Sequence, residues 1–472
     1  MSAGPPGPGR EVAGGARTPV PPAGVERDCP WTGRRMHLIG VGGAGMSGYA
    51  RAAHALGASV TGSDRAESPY LLRLRDEGVL DASIGHDAAN LPAGADVEVY
   101  HSSAIAPENP EREAARERGL PDRPRADLLG ELSALRRTIA VAGAHGKTTT
   151  AAMIVEILRG AGMDPGWLVG SSLAGGLANS HWSRGRWLVV EADESDRSLL
   201  SLAVEIGVLT NVELDHHQAF GSLAELREAF AAFLALAKRA LVVWDRPDLT
   251  PLVPLAGGVE LVRYGTPGLA LLAGGSRFDW RGHEVWLGVP GQHNACNAAA
   301  ALEAARLAGA DPVLAIDGLR DFRGAGRRFQ KVGVSASGAQ VYEDYAHHPT
   351  ELAATLQGAR TLPHERLVAV FQPHLFSRTA MFAREFGEAL VAADMAVVLE
   401  IYPARERAED FPGVSGLQVA RAAAERADGR TVLWLPDFAA ARGVLAPLLR
   451  EGDLCVLMGA GNVDVLAREL AA

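Results

Sequence analysis

Lys147 and Thr148 are the residues around which chemistry can be built. They lie in VAGAHGKTTT (141–150), where the apolar run TIAVAG leads into a glycine turn and then a helical pattern carrying Ile154, Ile157 and Leu158. A strand, a glycine turn with a lysine, and a helix together hold nucleotide phosphates. The N–H groups point at the anion, the lysine offsets its charge, and the hydroxyl reaches magnesium. The strict phosphate-loop spacing wants glycine where this chain has Val141. Taken alone, the turn therefore supports phosphate binding and an ordinary strand-to-helix turn alike. Its neighbours tip the balance. RWLVV delivers Glu191, followed by ADESD (192–196), and GVLTN leads into VELDHH (212–217) with His216. Strands of a parallel sheet end on one edge, so Lys147, Glu191 and His216 are expected to meet there. Thr148 and Glu191 are hard oxygen ligands for magnesium, and Lys147 suits the β- and γ-phosphates. The plainer alternative is a solvated acidic loop.

Other constellations repeat this strand-end placement. LIGVGGAGMSG (38–48) has the G-x-G-x-x-G spacing at Gly40, Gly42 and Gly45, and Asp64 ends the next strand in VTGSD. Glycines admit a diphosphate to the helix start, and the acid is placed for a ribose hydroxyl. On these residues alone a nicotinamide-dependent enzyme is the first reading, and helix–strand packing is the plain one. PGQHNACNAAAA (290–301) starts a helix with His293, Asn294 and Asn297. The two asparagines share a face suited to a purine edge, although Asn294 also reads as a simple N-cap. YEDYAHHPTE (342–351) and FQPHLFSRT (371–379) present Asp344, Tyr345, His347, His348, His374 and Arg378. Adjacent histidines on an extended segment point to opposite sides, which argues against zinc. Arg378 is suited to gripping a carboxylate through two parallel hydrogen bonds.

The elements that must position these residues alternate along the chain. Short apolar runs and helical patterns succeed one another from Arg35, which predicts parallel sheets wrapped by helices. With 472 residues, about one domain per 150 gives roughly three. The expected units are residues 35–135, 136–326 and 327–472. Residues 1–34 are expected to form a disordered tail rich in Gly, Pro and Ala, without an apolar signal-peptide core. No fixed-period repeat is evident. The net charge of −10 argues against nucleic acid as the main partner, and no apolar run reaches the roughly 18 residues that span a bilayer. Cys29, Cys296 and Cys455 are far apart and read as free thiols in a reducing compartment, so a cytoplasmic protein is expected.

Taken together, GVGGAGMSG, GAHGKTTT, EADESD, DHH, PGQHNACNAAAA, RRF, EDYAHHPTE, FQPH, SRT, IYPARE, GVSG and GAGN occur in an order that resembles the Mur ligase family of peptidoglycan synthesis. The resemblance runs from about Arg35 to near the C-terminus. It implies three α/β units: a Rossmann-like unit for a UDP-sugar rather than NAD, a central P-loop-type ATPase unit, and a Rossmann-like C-terminal unit. It also implies an ATP- and Mg2+-dependent amide-bond ligase acting on UDP-N-acetylmuramate and L-alanine through an acyl phosphate.

The residue roles it implies are expectations. ATP would meet Gly143, Ala144, His145, Gly146, Lys147, Thr148, Thr149, His293, Asn294, Asn297, Arg327 and Asp344. The UDP-sugar would meet Gly40, Gly42, Gly43, Gly45, Met46, Ser47, Asp64 and Ser103. The amino acid would meet Tyr345, His348, His374 and Arg378, and magnesium would meet Thr148, Glu191 and His216. Catalysis would rest on Lys147, Glu191, His216, His348 and Arg378. A monomer or weak homodimer, without membrane insertion, is expected.

The family usually has G-T-H-G-K-T where this chain has Gly143 to Thr148, so the short loop and Val141 fit the resemblance. Glu343, Gln218 and Leu375 depart from it: the first replaces the first acid of D-D-Y, the second stands where an acid is common, and the third where several members have Arg. The Leu375 departure would place more of the amino-acid carboxylate's binding on Arg378 and His348. A tripeptide-adding recycling ligase of the same family, a nicotinamide-dependent oxidoreductase and a non-catalytic nucleotide sensor are the alternatives.

Overall fold

The computed structural model describes residues 29–215, 219–253 and 258–472. The expectations for His216, Gln218 and residues 1–28 of the tail lie outside that range.

Three parallel-type sheets follow one another along the chain. Across the first, the strands run Ser83–Ile84, Ser59–Asp64, Arg35–Ile39, Val97–His101 and Asp122–Pro124, all parallel. This is the Rossmann-like order, with the switch point beside the strand that feeds Gly40. The second sheet runs Glu260–Tyr264, Ala240–Trp244, Val204–Leu209, Arg137–Ala142, Trp187–Glu191 and Gly166–Leu168, with the short strand Ser180–His181 added antiparallel at its edge. The third large sheet runs Gln330–Val334, Gln340–Asp344, Asp453–Met458, Arg366–Phe371, Met395–Leu399 and Thr431–Leu435.

Two features were not expected. Gln330–Val334 pairs antiparallel with Gln340–Asp344, and Ala270–Leu272, Gly275–Trp280 and His283–Leu287 form a separate antiparallel meander. Both are tight hairpins, which need no crossover helix.

The central strands Arg137–Ala142 and Trp187–Glu191 are apolar on both faces because helices cover both sides. The helix Lys147–Gly160 buries Met153, Ile154, Ile157 and Leu158 completely, each side chain contributing about 1.5–3 kcal/mol relative to exposure. Its C-terminal end closes on the helix Pro312–Arg320, where a Cβ on Gly160 would lie 2.9 Å from Gly318 Cα. The alanine-rich helix Gln292–Ala308 is almost wholly buried beside it, and Trp187 Nε1 donates to Ala308 O at 3.0 Å. This packing fixes the start of Lys147–Gly160, and so the glycine turn before it. Cys296 and Cys455 are buried free thiols, as expected of small apolar fillers. Among the described residues no helix is long and apolar enough to cross a membrane.

Candidate active site

The turn Gly143–Gly146 is held by the next strand. Asn211 Oδ1 accepts from His145 N at 2.9 Å, while Thr210 Oγ1 and Asn211 Nδ2 donate to His145 O at 2.6 and 2.9 Å. Gly146 has φ 82°, and a Cβ there would lie 2.5 Å from Asn297 Oδ1. The left-handed backbone favours glycine, and the Asn297 amide leaves little room for a side chain. The helix after the turn has no side-chain N-cap, so its first N–H groups are left to an anion.

Lys147 Nζ folds back on that turn. It donates to Gly143 O at 2.7 Å and lies 2.9 Å from Glu194 Oε2. Burial alone would lower the Lys147 pKa, but Glu194, Asp193 and Glu191 raise it, so the ammonium is retained. Glu194 is pushed up to about 7 by burial, with the Lys147 charge opposing. Thr148 Oγ1 donates to both oxygens of Glu191, at 2.9 and 3.0 Å. A hydroxyl and a carboxylate thus converge on one point beside the phosphate turn, a fit for a hard divalent cation.

Three cavities join here. One, of about 190 Å³, has His145, Gly146, Thr149, His293, Asn294, Asn297 and Asp344 in its wall, with Trp244, Tyr264 and Phe329 supplying flat apolar surface. A second, of about 230 Å³, brings Lys147, Thr148, Glu191, Tyr345, His374 and Arg378 together. A third, also of about 230 Å³, lies between Ala44–Gly45 of the first glycine turn, Arg125, Asn179 and Glu191. Gly146, Arg328 and Glu351 border both the first and second cavities; Glu191 and Asp193 border both the second and third.

Charged pairs hold the three sheets' units around this path. Arg125, which opens the helix after the strand Asp122–Pro124, donates to Asp193 at 2.9 Å and to Asp196 at 2.5 Å. Burial opposes ionisation of Asp193, but Arg125 and Lys147 hold its carboxyl well below the usual range. From the third unit, Arg378 Nε and NH2 donate to Asp215 Oδ1 at 3.2 and 2.6 Å, and Thr350 Oγ1 donates to Glu213 at 2.7 Å. His145 sits between Glu213 (3.3 Å) and Glu351 (3.2 Å). Against the effect of burial, these two acids raise it to about 9, so it is an imidazolium clasp between the phosphate turn and the helix Pro349–Ala359.

His347 and His348 point apart, as their adjacency requires. Burial lowers both to about 4, leaving them neutral. His347 lines the cavity beside Lys147, and its Nδ1 lies 3.0 Å from Tyr345 O and 3.2 Å from Glu351. Nδ1 thus faces two acceptors, which favours the proton there, while Nε2 lies 3.8 Å from Asp215 Oδ2. His348 instead packs behind the wall, 4.7 Å from His145 and 5.0 Å from Phe382 between ring centroids. His145, Glu213 and His348 could together offer a metal three ligands, but the imidazolium already offsets the carboxylates' charge.

Several expected contacts are placed differently. Met46 and Ser47 face inward: Met46 belongs to the core, and Ser47 Oγ donates to Ala44 O at 3.0 Å while accepting from Asn179. These two side chains follow the helix's buried side, so the fold already uses them. Asp64 accepts from Gly42 N at 2.8 Å, so it clamps the glycine turn. Gly40 and Gly43 complete that turn, and Ser103 is exposed past the strand Val97–His101. Arg327, with φ 56°, donates to Gly459 O and Gly461 O and lies over the Tyr345 ring; its neighbour Arg328, over the same ring, borders the first cavity. Asn294 Nδ2 donates to Pro290 O at 2.7 Å, a tie within the helix start. Asp344 accepts from Phe329 N and Ala346 N, both at 2.7 Å, and burial raises it to about 6. Glu343 alternates to the opposite face of its strand, near Arg327 and Asp464, which keeps that departure out of the cavity wall. Ala144 still borders the cavity through its place in the turn.

Arg125, Glu194, Glu213, Arg328 and Glu351 were missed. Arg125 and Glu194 follow strand ends, so the rule that picked out Glu191 would have found them. Nothing local in the sequence marks Glu213 and Glu351 as partners of His145.

Three α/β units enclosing one chain of cavities, with an uncapped lysine turn at its centre, define a nucleotide-dependent ligase architecture. The Mur ligase models match in order: "Mur ligase family, catalytic domain" over residues 35–137, "Mur ligase middle domain" over 141–305 and "Mur ligase, glutamate ligase domain" over 327–461. The chain belongs to the Mur ligase family. It is 42% identical over 467 residues to a UDP-N-acetylmuramate–L-alanine ligase of Mycobacterium sp. (strain JLS), covering 93% of this chain and 95% of the relative. The crystal structure of UDP-N-acetylmuramate–alanine ligase MurC from Thermotoga maritima matches with a TM-score of 0.78 and 26% identity, covering 92% of this chain and 98% of that one. A murein peptide ligase from Psychrobacter arcticus shares the fold, with a TM-score of 0.67 and 24% identity over 93% of this chain and 98% of its own.

Proposed function

We propose that this protein is an ATP-dependent ligase joining L-alanine to the lactyl carboxylate of UDP-N-acetylmuramate, with ADP and phosphate as the other products, in peptidoglycan synthesis. The observation that carries the reading is the shared wall of the three cavities: Gly146 links nucleotide to centre, and Glu191 links centre to the glycine-turn cleft.

A carboxylate does not acylate an amine directly, because oxide is not a leaving group. The lactyl carboxylate oxygen attacks the γ-phosphorus of ATP, the bond to ADP breaks, and an acyl phosphate forms. Lys147 faces the transferring group once it exchanges the turn carbonyls for phosphate oxygens, offsetting charge where it develops. Magnesium on Thr148 and Glu191, and by the family resemblance a second near His216, would supply the remaining positive charge. The neutral amine of alanine then attacks the acyl carbon, and the tetrahedral species expels phosphate. Tyr345 and His374 border the alanine end. His347, neutral in the cavity wall, takes the amine's proton, and His348 packs behind it against His145 and Phe382. The residues from three units must be assembled first, so closure precedes chemistry and keeps water from the acyl phosphate. Asp344 and the asparagine pair 294/297 line the nucleoside end. The nucleotide substrates place the reaction in the cytoplasm, and with all site residues in one chain, a monomer or weak homodimer suffices.

The test is ADP release with UDP-N-acetylmuramate and a panel of amino acids. Release should require both the sugar nucleotide and alanine. Preference for a preformed tripeptide would transfer the reading to the recycling ligase, and ATP-independent nicotinamide reduction would overturn it.

A further inference from the structure

The loop after the strand Met395–Leu399 is pinned to the turn that opens the helix Phe376–Leu390. Tyr402 N donates to Pro373 O at 2.8 Å, Leu375 N donates to Tyr402 O at 3.0 Å, and Ser377 N donates to Glu406 at 3.0 Å. The rings of His374 and Tyr402 stack with centroids 5.8 Å apart. Both bends pass through left-handed backbone at residues other than glycine, Leu375 with φ 70° and Ala404 with φ 51°. Conformations that a Cβ disfavours persist only where surrounding contacts impose them. Their consequence is that Leu375 and Arg405 stand in the same cavity wall, with His374 and Arg378.

The charges in that wall are unevenly committed. Lys147 and Glu194 serve the phosphate turn. Arg328 lies over the Tyr345 ring and near Glu351. Arg378, 3% exposed, spends Nε and NH2 on Asp215 and NH1 on His374 Nδ1 at 3.1 Å. Using that fork for a substrate would strip a buried carboxylate of its partner, a costly exchange. Leu375 brings no charge. Arg405 differs in position: its side chain is exposed, on a long stem, at the open end of the cavity, and its charge is felt at His374. Arg405 has interactions of its own; what marks it is its place in the wall, beside His374, Leu375 and Arg378.

We propose that Arg405 is the guanidinium that receives the carboxylate of the incoming amino acid, and that Arg378 is a positioning residue joining Asp215 to the helix Phe376–Leu390. This rests on the alanine-ligase reading and names the residue that completes its amino-acid subsite.

The experiment measures phosphate release by the full-length enzyme at saturating ATP and UDP-N-acetylmuramate, with alanine varied, for the wild type and four variants. Arg405→Ala should raise the alanine KM at least about tenfold, the scale of one lost charged hydrogen-bonding partner. The kcat at saturating alanine and the KM for the sugar nucleotide should hold within about twofold, since neither depends on uniform binding of alanine. Arg405→Lys should recover only part, because an ammonium cannot make two parallel bonds. Leu375→Arg should restore alanine binding in the Arg405→Ala background and add little to the wild type. An unchanged alanine KM in Arg405→Ala, with release still alanine-dependent, overturns this inference alone. Wild-type release that ignores alanine overturns the ligase reading and this inference with it.

Discussion

The two glycine turns, Gly40–Gly45 and Gly143–Gly146, share a backbone plan. Each leaves a parallel strand, passes through a left-handed glycine (Gly40 φ 81°, Gly146 φ 82°) and opens a helix without a side-chain cap. Other helix starts vary: Ser68, Ser222 and Asp311 cap theirs through side chains, whereas the starts at Pro124, Gly291 and Leu375 have no side-chain cap either. Leaving these two uncapped gives each a set of unpaired N–H groups for an anion. What differs is the surrounding charge. The first turn is clamped by Asp64 and faces Arg125, which is already shared with Asp193 and Asp196. The second has Lys147 within the turn, Glu191 with Thr148 beside it, and the His145 clasp to the next unit. On the proposed function, a glycine turn selects an anion, and the ends of neighbouring strands decide whether it is bound or transferred.

The comparison breaks most sharply at Lys147. Lys147→Ala should lower kcat at least about a hundredfold, the scale for removing an electrostatic stabiliser, while sugar-nucleotide binding measured by calorimetry persists. Retained turnover would make the two turns equivalent. Next in size, Glu191→Gln should raise the magnesium concentration needed for half-maximal rate by about 10–100-fold, on the scale of disturbing a metal site. An unchanged magnesium titration would leave Glu191 as a mere hydrogen-bond acceptor for Thr148 and Gly170. At the first turn, Asp64→Ala orphans Gly42 N. It should raise the UDP-N-acetylmuramate KM about tenfold and leave the ATP KM alone, the free-energy scale of one unsatisfied buried donor. Equal effects on both nucleotides would contradict the division of labour.

The smallest effect is on stability. His145 is raised to about 9 from its ordinary 6.5, so its clasp is fully present below about pH 6.5 and is lost as pH rises through 9. Glu213 is held at about 2 by hydrogen bonding to His145 against burial, so its own share is lost only as pH falls from about 4.5 toward 2. The melting temperature should decline between pH 6.5 and 9 in the wild type and flatten there in His145→Gln; parallel curves would remove the clasp.

Much of this arrangement was legible in the sequence because strand ends of parallel sheets share an edge. That rule placed Lys147, Thr148 and Glu191 together and put Tyr345, His374 and Arg378 in their cavity. It fails where the side chain's direction decides. Met46 and Ser47 follow a glycine turn in sequence but fall on the inward side of its helix. Arg327 and Arg328 are indistinguishable as letters; only the structure shows Arg327 tied to Gly459 O and Gly461 O while Arg328 borders the first cavity. The edge strand Gln330–Val334 escaped notice because it is polar and largely unburied, with weak alternation. The commitment of Arg378 to Asp215 is a contact across 163 positions that no local pattern encodes.

The central claim is that the turn at Lys147 brings ATP to a carboxylate and activates it by phosphorylation. Running the reaction with the lactyl carboxylate of UDP-N-acetylmuramate labelled with oxygen-18 tests this directly. The account predicts that the released phosphate carries an oxygen from that carboxylate. Phosphate free of label, with alanine nonetheless joined, would contradict it.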